Sequence, residues 1–303
     1  MTTSLFADEA QPERSTQVLV VGAGPVGLCF ERALSHVGFP VRSWSRSHGP
    51  LWPQGSETVA ADIVILAVRD DAIPHAAEYI VTHGGAGPQS VVLHCAGGRP
   101  PSQVLGSIRE LVKGIGLLHP LRSFVHTGSS DDREGSGPQK EHELIGTVMA
   151  LCGDSSGLAA GQELCQALSG VPLVLPEDRL PMYHAAAVLA AGHVATLLDV
   201  AVQLLSRIGL DRKAAATALT ALTESVLLNI RQVGLPQALT GPIARGDALT
   251  VASHLDALNR QSCQVGDIYR VLAESSLDIA YRKGAAEDSA LAAVGDVLAA
   301  RRV

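Results

Sequence analysis

Residues 17–27 read QVLVVGAGPVG, and this stretch decides the fold. After Gln17, its next four residues are apolar and mostly β-branched, which is a strand signal. The next six, Gly22-Ala23-Gly24-Pro25-Val26-Gly27, fit the pattern GxGxxG and open a helical stretch that runs to His36. Strand, glycine turn and helix in that order are the context a dinucleotide-binding turn requires. Gly22 permits the tight turn, Gly24 lets the backbone approach a pyrophosphate, and Gly27 lets the helix pack close to the strand. The helix start at Pro25 and Val26 then offers free N–H groups and a positive dipole end to an anion. The competing reading is a glycine-rich turn with no ligand.

Outward from this turn the first half alternates β-rich runs with helical patterns. Candidate strands are 41–44 (VRSW), 62–68 (DIVILAV), 90–94 (SVVLH), a weaker 114–118, then 145–151 and 171–175. Continuous apolar runs with helices between them predict a parallel sheet covered on both faces. With the handedness rule for such units, this gives a doubly wound α/β domain. Strand signals stop after Leu175. Helical spacing is expected over 182–208, 212–233, 248–258, 263–284 and 286–301. The organisation expected is a disordered tail over 1–16, an α/β dinucleotide-binding domain over 17–176, and an all-α domain over 177–303. Residues 46–55 and 126–143 read as loops, the second exposed and mobile, either a lid or a tolerated surface insertion.

Composition narrows the function. The 303 residues are 47% hydrophobic and 17% charged, enough for a sizeable core. The 23 basic and 30 acidic side chains give a net charge of −7 with no Lys/Arg block, which argues against nucleic acid as a partner. The five cysteines are scattered and odd in number, as in a reduced, cytoplasmic protein. The first residues lack the basic and apolar regions of a secretory signal. The most apolar stretch, 185–198, is too short to span a bilayer and is expected to be a buried helix, so no membrane partner is expected.

The end of the second strand speaks to the cofactor. An acidic residue there would hold the adenosine ribose of NAD or FAD. Here the text is Trp44-Ser45-Arg46-Ser47, with no acid. Ser45 and Arg46 stand where a 2′-phosphate would lie, and a guanidinium pairs well with phosphate. NADP(H) is therefore expected over NAD(H), with Arg42 as a possible helper. A flavoprotein, which GAGPVGL also suggests, is disfavoured by the absent acid and the short chain.

Further segments carry a resemblance. DIVILAVRDD (62–71), HCAGG (94–98), GLLHPLRSF (116–124), EDRLPMYHAAA (177–187) and LTGPIARGD (239–247) join the glycine turn. Together they resemble a family of two-domain Rossmann-like NADP oxidoreductases whose helical C-terminal domain is of unknown function. In architecture that family is similar to ketopantoate reductase, pyrroline-5-carboxylate reductase and the 6-phosphogluconate and β-hydroxyacid dehydrogenases. The resemblance implies hydride transfer between NADPH and a small anionic keto or imine substrate in an interdomain cleft, and homodimers formed through the helical domain. The sequence departs from the family pattern at Arg69, where proline is frequent, and at His193, where asparagine is frequent. No lysine stands in the helix after Pro181 to match the one used by the reductases and dehydrogenases named.

Candidate site residues follow. Val68 and Asp70 come after the third strand, on the rim where ligands bind, and are expected to touch the cofactor. Asp70 is equally placed to cap the next helix. Cys95 ends the fourth strand as a cofactor contact or a small buried hydrophobe, beside Gly97 and Gly98, which suit close approach of a nicotinamide. His119, before Pro120, is a candidate proton donor if its pKa lies near neutrality, or else a turn anchor. His184 opens the interdomain helix as a second candidate donor, with His193 nearly opposite on the same helix. Arg245 is the candidate anchor for a substrate carboxylate or phosphate, and Asp247 a helix cap. No histidine–cysteine spacing suggests a metal. The alternative to an enzyme is a dinucleotide-binding sensor or scaffold without turnover.

Overall fold

A computed structural model describes residues 15–49, 51, 59–125 and 144–300. The expected 126–143 loop lies outside them, as do all but the last two residues of the expected tail and most of 50–58. The chain separates into two compact units, Met1–Gly192 and His193–Val303.

The first unit is a seven-stranded sheet in the order β2-β1-β3-β4-β5-β6-β7. The strands are β1 (Val18–Val21), β2 (Val41–Trp44), β3 (Ile63–Leu66), β4 (Val91–His94), β5 (Gly114–Pro120), β6 (Val148–Gly153) and β7 (Val171–Val174). The period-two alternation of strand side chains explains its layering. Val18 and Val20 of β1 face one core with Ile63, Ile65, Val91 and Leu93. Helices α1 (Pro25–His36) and α4 (Ser155–Ala167) cover that face through Phe30, Leu34, Leu164 and Cys165. Leu19 and Val21 face the opposite core with Val64, Leu66 and Val92. There α2 (Ile73–Thr82) contributes Ile73, Ala77 and Ile80, and the short α3 (Pro101–Val104) contributes Val104. This is the doubly wound α/β domain the sequence predicts.

One departure concerns strand direction. Strands β1 to β5 are parallel, but β6 runs antiparallel to β5, with Gly116 opposite Gly153 and Pro120 opposite Met149. Strand β7 is parallel to β6, so the last two strands are reversed together. Asp154 fastens the reversal. Its carboxylate caps α4 by accepting from Gly157 N–H at 2.8 Å and accepts from Ile115 N–H, at the start of β5, at 3.0 Å. Arg109 lies 3.1 Å from the same carboxylate.

A second departure concerns the apolar stretch after Pro181. The single helix expected over 182–208 is two, α5 (Leu180–Ala190) and α6 (Gly192–Arg207), parted at Ala191. The stretch 177–207 is apolar and long enough to cross a membrane, but the expectation of a buried helix is wrong: almost none of it is covered. Leu180 is buried, whereas Met182 and Leu189 are exposed. The start of α5 is instead fixed to the sheet unit by Tyr183 and His184. A helix apolar all round buries itself only where something surrounds it, and in α5 Leu180 alone is fully buried, with Tyr183, His184 and Ala187 half-buried.

The second unit holds α6, α7 (Arg212–Val233), α8 (Ala248–Gln261), α9 (Cys263–Lys283) and α10 (Asp288–Ala300). Its core is Val251, Leu255, Ala273, Val294 and Leu298, from the last three helices. Asp247 caps α8 by accepting from Thr250 N–H at 3.0 Å, as expected; such caps are worth ~1 kcal/mol. The boundary between units falls one helix later than the expected division at 176, because α5 groups with the sheet.

Candidate functional site

A cavity of about 1020 Å³ opens at the glycine turn. It is lined by Gly22, Ala23 and Gly24, by Trp44, Ser45 and Arg46 after β2, and by Val68 after β3. These are the carboxyl ends of β1, β2 and β3, where β1 lies between its neighbours and the crossovers diverge. The glycines divide the work. A Cβ on Gly27 would strike the Gly22 carbonyl, and one on Gly22 would strike the Ala67 carbonyl, at a φ of +124° that disfavours side chains. A Cβ on Gly24 would meet nothing within 4 Å. Two glycines therefore hold the turn, and the third faces open space. Gly24 is also the N-cap of α1, with no side-chain cap and with Pro25 at the first turn, so the helix amides there are left for a ligand. The residues present fit a dinucleotide pyrophosphate.

The wall beyond β2 is aromatic. Trp44 stacks on Tyr79 at 5.0 Å between ring centroids, and Tyr79 on His83 at 3.9 Å. The Trp44 indole donates to the Gly49 carbonyl at 3.0 Å, which fixes the loop carrying Ser45 and Arg46. The Ser45 and Ser47 hydroxyls are 2.8 Å apart. Arg46 is exposed, whereas Arg42 donates to the Val59 carbonyl at 2.8 Å and is engaged there.

A second group of residues gathers at the ends of β4 and β5. His119 Nδ1 is 2.8 Å from the Tyr183 hydroxyl, and the rings meet edge-on. The His184 ring lies 5.9 Å from that of His119. Gly97 and Gly98 form the floor. A Cβ on Gly97 would come within 2.8–2.9 Å of three His119 ring atoms, and one on Gly98 within 3.0 Å of the His184 ring. The two imidazoles therefore pack directly against these glycines, which leave no room for a Cβ. Behind them His94 is fully buried, and its Nδ1 accepts from Ala96 N–H at 3.2 Å. The proton of neutral His94 then sits on Nε2. Among the described residues, His94 Nε2 and His184 Nδ1 are buried without a partner.

Burial sets the charge of this group. His94 is pushed down to about 3 by burial and by the charge His119 would carry. His119 is pushed down to about 4, first by burial and then by His184, against an upward pull from Asp70. The expectation of a near-neutral pKa for His119 is thus overturned: at pH 7 the ring is uncharged. Tyr183 is pushed up to about 12 by burial and keeps its proton.

The remaining candidates are placed as follows. Asp70 does not line the cavity; it is exposed, in the turn Asp70–Ala72, and makes no helix cap. Cys95 packs against the core, with its thiol pushed up to about 12 by burial. Pro25 and Val26 are half-buried and Gly27 buried behind the cavity wall. His193 is exposed on α6. Arg245 is exposed in the turn Ile243–Arg245 and takes its neighbours in the helical unit, where its charge acts on Asp247. Among the described residues no three His, Cys, Asp or Glu side chains are arranged to hold a metal ion. The sequence reading put His94 on the rim at the end of the fourth strand and Tyr183 at the start of the interdomain helix, but gave neither a role. The adjacency of Tyr183 to His184 was the one available signal.

Residues 147–276 match the model of the family described as a domain of unknown function, DUF2520. No curated protein sequence matches the chain. Among solved structures, TM1727 from Thermotoga maritima is similar with a TM-score of 0.65 at 19% identity, covering 88% of this chain and 99% of that one. A candidate NADP oxidoreductase from Bacteroides fragilis, BF3122, has a TM-score of 0.65 at 19% identity, covering 86% and 97%. Pyrroline carboxylate reductase from Plasmodium falciparum, solved with NADP bound, has a TM-score of 0.51 at 13% identity, covering 88% and 99%. At these identities the likeness is one of fold: a Rossmann sheet followed by helices, as in NAD(P)-dependent oxidoreductases.

Proposed function

We propose that this protein is an NADP(H)-dependent oxidoreductase acting on a small anionic keto or imine compound. The observation that carries the reading is one cavity lined at once by the glycine turn, by Ser45 and Arg46, and by Val68. It matches the successive parts of a dinucleotide: pyrophosphate at Gly24 and the α1 amides, adenosine and its 2′-phosphate at Ser45 and Arg46, and the nicotinamide end toward Val68. The bound nicotinamide would supply hydride. The chain's own residues would hold the pyrophosphate, select the 2′-phosphate and present the uncharged His119–Tyr183 pair with His184 beside it. Arg245 is proposed as the anchor for the substrate's anionic group, and a reduced cytoplasmic setting suits the free cysteines.

Titration of the full chain with NADPH and NADH, read by Trp44 fluorescence, tests the cofactor assignment. NADPH is expected to bind more tightly, and Arg46→Ala to weaken it by about ten- to a hundredfold, the worth of a charge-assisted hydrogen bond. Tighter NADH binding overturns it. One observation favours a second reading, a dinucleotide-responsive sensor: no lysine stands in the helix that follows Pro181, and His119 carries no charge at pH 7. NADPH binding with no oxidation across a panel of keto acids and imines would select it. We also propose a homodimer through the helical unit, because Leu222, Val226, Leu227 and Val233 of α7 are exposed on a helix that needs an apolar neighbour. A monomer by light scattering would refute it.

A further inference from the structure

The 2.8 Å contact between His119 Nδ1 and the Tyr183 hydroxyl has two chemical forms. Either the phenol donates and Nδ1 accepts, or Nδ1–H donates to the phenol oxygen. A neutral phenol is a good donor and a poor acceptor, since its oxygen lone pair is drawn into the ring. The Tyr183 side chain, half-buried, has no other hydrogen-bond partner among the described residues, so donation to Nδ1 is the form that satisfies it. Ring packing on Gly97 and the neighbouring His184 keep the imidazole in this pose.

We infer that Tyr183 fixes His119 as its Nε2–H tautomer, which makes the site a hydrogen-bond donor matched to a carbonyl oxygen and unmatched to a protonated imine. This deepens the oxidoreductase reading and rests on it. A carbonyl oxygen has lone pairs that accept Nε2–H and that gain charge as the carbon is reduced. A protonated imine nitrogen has no lone pair, and its N–H needs an acceptor, which an Nε2–H imidazole does not offer. The groups facing His119 agree: His94 behind it has its own proton on Nε2, His184 is a neighbouring ring, and Asp70 is exposed to solvent.

The step would consume one hydride from the bound nicotinamide and one proton from solvent. Hydride adds to the carbonyl carbon, and the C=O π pair moves to oxygen. The oxygen takes the proton of His119 Nε2 while Nδ1 takes the Tyr183 proton. A solvent proton then restores Nε2–H, and Nδ1 returns its own to Tyr183. Tyr183 is a positioning residue here, because it acts on the reactant through His119.

The test needs no turnover. In the full chain labelled with ¹⁵N-histidine and free of cofactor, His119, assigned by loss of its signals in His119→Gln, is expected to show protonated Nε2 and bare Nδ1. A proton on Nδ1 overturns the inference. Tyr183→Phe is expected to bring in the Nδ1–H form while binding NADPH as wild type does, which confirms its fold. Exclusive Nε2–H in that variant shows that something else sets the tautomer and also overturns the inference. In turnover, kcat/KM for ketones and aldehydes is expected to exceed that for cyclic imines at least a hundredfold. A preference for imines refutes the substrate assignment. No turnover of either class counts against the oxidoreductase reading, and the tautomer spectra still decide the inference.

Discussion

The molecule holds two histidine–tyrosine pairs of nearly the same geometry, one in each unit. His119 and Tyr183 meet at 2.8 Å with ring centroids 5.7 Å apart and planes at 88°. His254 and Tyr269 meet at 2.9 Å, also with centroids 5.7 Å apart and planes at 87°. Their surroundings differ. The first pair lies on Gly97, beside a second imidazole from His184 and near the buried His94. The second joins α8 to α9 at an exposed position near the Asp247 cap, one helical element to the next. A short His–Tyr contact is thus no signature of a site by itself. Burial, packing and neighbouring titratable groups make one pair a candidate for chemistry and leave the other a link between helices.

The sharpest test of that contrast is removal of each imidazole. His119→Gln is expected to lower kcat by ~10²–10⁴, the usual worth of a positioned proton donor, with NADPH affinity unchanged. His254→Gln is expected to leave kcat alone. Equal losses in steady-state kinetics would erase the distinction.

The next effect is steric. Gly97→Ala places a methyl group against the His119 ring, and overpacking of this kind costs ~1–3 kcal/mol. A lowered midpoint of chemical denaturation and loss of the His119 tautomer signals are expected. An unchanged midpoint would mean that the ring moves freely and that Gly97 is not its floor.

A third test uses pH. His119 and His94 bind protons less readily in the folded chain than in the unfolded one, about 4 and about 3 against 6.5. The unfolded state therefore holds more protons between these values, and stability rises with pH across that window. It is fully present above about 6.5 and falls as pH drops toward 4, by on the order of a few kcal/mol for the pair of residues. Denaturation midpoints measured from pH 7 to pH 4 are expected to flatten in His119→Gln. An unaltered slope would place the acid sensitivity elsewhere.

The smallest effect belongs to the other pair. Tyr269→Phe removes an exposed hydrogen bond worth ~0.5–1 kcal/mol and is expected to leave turnover untouched. A large loss of activity would show that the second pair also serves the reaction.

The sequence made the α/β unit legible because two strong local signals coincide there. The glycine turn needs positions without a Cβ at Gly22 and Gly27, and buried parallel strands are apolar at every residue, as 63–66 is. Strand direction is not written in that way. The run 148–153 is as apolar as its parallel neighbours, and its reversal depends on pairing with β5 that only the folded sheet reveals. The break at Ala191 was invisible for a similar reason, since alanine and glycine at 190–192 continue the helical composition across it. For the candidate site, the place of the glycine turn, Ser45, Arg46 and Val68 after strands put them on one rim, and they line one cavity. The meeting of His94, His119, Tyr183 and His184 was not legible, because three of the four come from different elements far apart in the chain. Asp70 and Cys95 stand on the expected rim, but the turn at 70–72 and the core beside β4 hold them off the cavity.

The strand order described for the sheet has a consequence for how the protein is made. Among the described strands, β1, the earliest in the chain, lies inside the sheet and is flanked by β2 and β3. Once residue 66 has left the ribosome, that three-stranded nucleus is complete, with the glycine turn already at its edge. Every later strand then joins the same growing side in the order of its synthesis: β4 on β3, β5 on β4, β6 on β5, β7 on β6. No strand has to be inserted between two that are already paired. Vectorial synthesis and spatial assembly run in the same direction, which shortens the time that any one apolar edge waits for its neighbour.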